Sequence, residues 1–92
     1  MTATPAQVAN DLALQATFFA RRDDDIASLC RDSARLIRAR IGGQAVDERF
    51  HARVIFRLQR WNSRPRAAVP SQIDKSLDRA LVTLTELKVG RQ

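Results

Sequence analysis

From Asp24 to Asn62 the chain reads DDIASLCRDSARLIRARIGGQAVDERFHARVIFRLQRWN. Two amphipathic periods stand on either side of Gly42-Gly43. In the first, Ile26, Leu29, Cys30, Ser33, Leu36, Ile37 and Ile41 recur at three- and four-residue steps. On a helix of 3.6 residues per turn they form one apolar arc. In the second, Phe50, Val54, Leu58 and Trp61 do the same, flanked by Ile55 and His51. The glycine pair supplies the left-handed conformation that ends a helix. Asp23-Asp24-Asp25 before the first period and Asp47-Glu48 at the start of the second suit the positive ends of helix dipoles. The spacing therefore predicts helices over about 24–41 and 45–62, joined as an antiparallel hairpin.

Working outward, Thr4-Pro5 reads as an N-cap followed by proline at the first helical position. A helix over about 5–20 follows, with Val8, Leu12, Gln15/Ala16 and Phe19 inward and Leu14 and Phe18 widening the apolar face. Beyond the hairpin, Ser63 to Pro70 holds two prolines that stop the third helix and keep a linker extended. Ser71 and Asp74 resemble a capping box with Asp in place of Glu. They open a fourth helix over about 71–88, whose seam is Ile73, Leu77, Ala80, Leu84 and Leu87, supported by Leu81. The tail from Gly90 reads as frayed. No strand pattern competes. The expected fold is all-α: one domain over residues 1–92, a compact antiparallel four-helix bundle. Ninety-two residues make a thin core, so a homodimer that covers Phe18 and Phe56 is an expected gain.

The formal net charge is +6, and it is unevenly placed. Between Arg31 and Arg66 ten arginines face Asp32, Asp47 and Glu48, a balance of +7; the remainder has six basic and seven acidic residues, or −1. Arginine forks bidentately onto carboxylate or phosphate, where lysine offers a point charge. No apolar run approaches the roughly 20 residues a bilayer span needs, and the N-terminus lacks the basic and apolar regions of a secretion signal. One cysteine fits a reducing compartment, so the expected location is the cytoplasm, away from membranes.

Arg49, Arg53, Arg57, Arg60 and Arg64 step by four, four, three and four residues, which confines them to roughly 80° of helix arc. Arg31, Arg35 and Arg38 form a shorter row on the preceding helix. Like charges so spaced repel by a few tenths of a kcal/mol per pair, so a chain that keeps them is offering them to something acidic. The leading expectation is a non-enzymatic interaction module whose arginine face docks an acidic protein. The alternative is a nucleic-acid-binding protein that contacts phosphate backbone without reading sequence. Phe56 falls beside Arg49 and away from the third helix's core, placed either to join that contact or to bury against helix one or a second subunit. A solvated face paired internally with Asp11, Asp78 or Glu86 is the bland counterpart.

Catalysis has little to stand on. His51 and Cys30 each lie on an apolar arc, where a packed histidine and a small core hydrophobe are expected. No ligand spacing for zinc and no glycine-rich phosphate loop occurs, so no catalytic, cofactor-binding or metal residue is assigned. Helix-turn-helix geometry fails as well: either glycine, taken as the turn residue, leaves Arg38 and Glu48 or Arg49 at positions that must be small or apolar.

Overall fold

A computed structural model describes residues 3–64 and 71–89, with side chains as far as Leu87. Four helices account for nearly all of it: α1 (Pro5–Phe19), α2 (Asp24–Ile41), α3 (Glu48–Asn62) and α4 (Gln72–Val89). No strand occurs among the described residues. Pro65 to Pro70, most of the expected linker, and the tail from Gly90 lie outside them.

The helix ends follow from local chemistry. At α1 the Thr4 hydroxyl accepts from the Gln7 amide while the Gln7 side chain accepts from the Thr4 amide, a complete capping box with Pro5 at the first helical position. Asp23 caps α2 by accepting from the amides of Asp25 and Ile26. At the other end the Gln44 amide donates to the Ala39 carbonyl and the Gly43 amide to Arg40, a Schellman closure. It requires a left-handed residue, and Gly43 supplies it at φ +70°. Ser71 and Asp74 form the reciprocal pair expected at the start of α4. The expected start of α3 is corrected from Ala45 to Glu48. Asp47 is extended (φ −63°, ψ 120°) and its carboxylate accepts from the Arg49 amide, so it caps the helix and does not enter it.

Helices consecutive in the chain run antiparallel. α2 packs against α1, α3 and α4, and α4 likewise touches the other three, whereas the backbones of α1 and α3 stand apart among the described residues. The cross-section is thus a rhombus with α2 and α4 on its short diagonal. Its core is Val8, Ala9, Leu12 and Ala16 of α1, Leu29, Cys30, Leu36 and Ile37 of α2, Val54 and Leu58 of α3, and Leu77, Ala80 and Leu84 of α4. Two polar ties cross it: Ser76 donates to Asp11 at 2.6 Å, and the Trp61 indole donates to Asp74 at 2.9 Å. One expected apolar position is corrected: Leu14 is 72% exposed, because α1 turns only the Val8–Leu12–Ala16 side to its neighbours. Phe18 widens the apolar face of α1 but lies outside the core, 55% exposed.

Leu36 is fully buried where α2 meets the rest of the bundle. Leu36→Ala should cost about 2–5 kcal/mol by loss of burial and creation of a cavity. Urea unfolding should show a lower midpoint with an unchanged slope.

Candidate functional site

The two arginine rows share one side of the molecule. Arg31, Arg35 and Arg38 occupy about 60° of α2, on the flank left uncovered because α1 and α3 stand apart. The α3 stripe borders the same flank. Arg35 reaches across to lie over the Phe50 ring at 5.5 Å, and Arg57 reaches back to Asp32 at 3.0 Å and to the Ser28 hydroxyl at 3.3 Å.

Arg57 therefore leaves the candidate set. Its guanidinium is less than one-third exposed and ion-paired, so it fastens α3 to α2. The internal partner is Asp32, not Asp11, Asp78 or Glu86, since antiparallel pairing brings the first half of α2 against the second half of α3. The other stripe members, Arg49, Arg53, Arg60 and Arg64, are exposed. Arg60 stands 5.8 Å over Phe56, and Arg64 stacks 4.3 Å over Trp61. Phe56 is 57% exposed, so burial against helix one does not occur. Phe18 is likewise uncovered, beneath Arg22 at 4.3 Å.

A groove of about 890 Å³ runs over this flank. Its α1 wall is Ala13, Ala16, Thr17 and Ala20, and its far wall is Phe50 and Arg53 of α3. Arg31, Arg35 and Arg38 line it from α2, and the 44–47 connection closes one end. Four guanidinium groups thus meet one carboxylate, Asp47. None of the four forms an ion pair among the described residues; Arg38 bonds only the neutral Asn10 amide, at 3.0 Å. In such a concave setting the four fields add. The α1 wall is the part that sequence reasoning missed. Ala13, Ala16 and Ala20 recur at helical spacing, but alanine carries no chemistry and its role appears only once α3 stays away.

Arg40 behaves differently from its neighbours in sequence. It falls about 180° from Arg31 on α2 and so points away from the groove. Its guanidinium lies 2.9 Å from Nδ1 of His51 and 3.6 Å from Glu48. A guanidinium has only donors, so Nδ1 must accept, which leaves a neutral imidazole with its proton on Nε2. His51 is buried, in keeping with the packed role expected for it.

Cys30 is wholly buried, and its thiol is pushed up from 9.0 to about 12 by burial first and then by the Asp11 charge. It carries no thiolate at neutral pH. Among the described residues no three His, Cys, Asp or Glu side chains group to hold a metal ion, and no helix is long and apolar enough to cross a membrane. Compared with known proteins, the chain matches no family model, no curated sequence and no solved structure.

Two outcomes test this division of roles. Arg57→Ala should lower stability by about 1 kcal/mol, because it removes a charge-assisted bond at a part-buried seam and strands Asp32. Arg53→Ala should change it by no more than about 0.5 kcal/mol; matched urea melts compare the two. For Cys30, the folded thiol stays protonated while the unfolded one ionises from pH 9.0 upward. Its contribution to stability is therefore complete below that pH and is lost as pH rises toward about 12. Iodoacetamide at pH 8 should label Cys30 only after denaturant is added.

Proposed function

We propose that this protein is a small non-enzymatic interaction module whose arginine face docks an acidic protein surface. The observation that carries the reading is the convergence of Arg31, Arg35, Arg38 and Arg53 on one groove, none of them ion-paired among the described residues. Arg49, Arg60 and Arg64 extend the positive field along α3, and Phe56 stands at its outer edge as an aromatic anchor. A bidentate arginine contact to carboxylate gives orientation as well as attraction, and a row of them sets register.

Phosphate backbone would satisfy the same charges, so nucleic acid is the competing partner. Two features favour protein. The α2 row is set between helical walls, one of them alanine-rich, which suits side chains better than a wide sugar-phosphate surface. The aromatic on the groove lining, Phe50, lies under Arg35 and is not presented as a platform for a base.

Fluorescence anisotropy with polyglutamate and with random duplex DNA, across a salt series, tests the choice. The proposal predicts tighter binding of polyglutamate. Preferential binding of DNA with a steep loss on adding salt would establish the phosphate reading in its place. Arg35→Glu with Arg53→Glu should abolish polyglutamate binding while the melting temperature holds or rises, since repulsion on the groove is relieved. A clear fall in melting temperature would mark these arginines as scaffold.

A further inference from the structure

The groove is shaped for more than a diffuse acidic patch. Arg31, Arg35 and Arg38 stand at i, i+4 and i+7 of one straight helix, so their roots advance by about one turn, 5.4 Å, at each step. The α1 wall beside them rises and falls with the same pitch, through Ala13, Ala16 and Ala20. Side chains this small let a neighbouring backbone come close, as larger ones would not. The space is open along its length and about 890 Å³ in volume, too little to enclose a whole helix but enough for one face of it.

Resting on the acidic-protein reading above, we infer that the partner element is an acidic amphipathic helix. It lies along α2 with carboxylates at i, i+4 and i+7 opposite Arg31, Arg35 and Arg38 and with small apolar residues against the α1 wall. Matching pitch lets each carboxylate meet a guanidinium without strain, whereas an extended chain advances about 6.6–6.8 Å for every second residue and drifts out of step. Helix-in-groove docking of this kind reads partners by anchors at the same spacing.

The occupant is a different chain and not a second copy. α1 offers Asp11 alone, and α3 offers Glu48. On α2, Asp25 and Asp32 are seven apart but Asp32 already holds Arg57, and on α4 Asp74 and Asp78 are followed by Glu86 with no third acid in step. No helix here carries three carboxylates at the required spacing.

Anisotropy with labelled, hydrocarbon-stapled helical peptides tests the inference. One peptide bears Glu at i, i+4 and i+7 beside alanines; a second of equal composition disperses the glutamates around the helix. Polyglutamate and a short DNA duplex complete the set. The patterned helix should bind about tenfold more tightly than the dispersed one. Thr17→Trp, which fills the groove from an exposed position, should erase that preference while retaining polyglutamate binding and a cooperative melt. Equal affinity for the two helices, or a preference untouched by Thr17→Trp, would overturn the helical inference and leave the acidic-protein reading standing. DNA outcompeting every acidic peptide, or no peptide binding at all, would overturn both.

Discussion

Helix α2 must serve three neighbours at once. Its apolar arc, from Ile26 through Leu29, Cys30 and Leu36 to Ile37, is shared among α1, α3 and α4, and α4 closes against it across the short diagonal of the bundle. That arrangement keeps α1 and α3 apart. The flank of α2 between them cannot be covered, so whatever stands there faces water. In this chain it is Arg31, Arg35 and Arg38. The groove, its alanine wall and the open arginine row all follow from this packing.

Charge is handled unequally among the arginines of α2 and α3. Arg57 and Asp32 neutralise each other at the seam, and Arg40 is drawn inward to His51 and Glu48, so both serve the fold. Among the described residues Arg38 finds only a neutral amide, and Arg35 and Arg60 find only the faces of aromatic rings. Cation–π contacts hold these side chains in place without cancelling their charge. The result is a set of oriented, unneutralised guanidinium groups, which is the preorganised state that an acidic ligand meets at low entropic cost.

The four helices were legible in the sequence because every one carries a 3.6-residue apolar period with a chemical start signal: Thr4-Pro5, Asp23, Asp47 and Ser71–Asp74. Where the reading erred, tertiary placement decided. Leu14 satisfies the period of α1, but a helix with two partners buries only a narrow stripe. Ala45 and Val46 fit a helix equally well, yet Asp47 stops it by binding an amide. The arginine rows were also legible, whereas their meeting was not. Which arginine would be neutralised depended on the α2–α3 register that sets Asp32 beside Arg57, and the alanine wall depended on α3 staying clear of α1.

Among the described residues the arginine face is uncompensated. Outside residues 31–66 basic and acidic residues nearly balance, six against seven, so repulsion is concentrated on this face. The melting temperature as a function of sodium chloride tests the claim most directly. Between about 10 mM and 300 mM the Debye length falls from about 30 Å to about 6 Å. Screening should then relieve the repulsion and raise the melting temperature. A melting temperature that falls steadily with salt would mean that attractive internal pairs dominate, and the open arginine face would be contradicted.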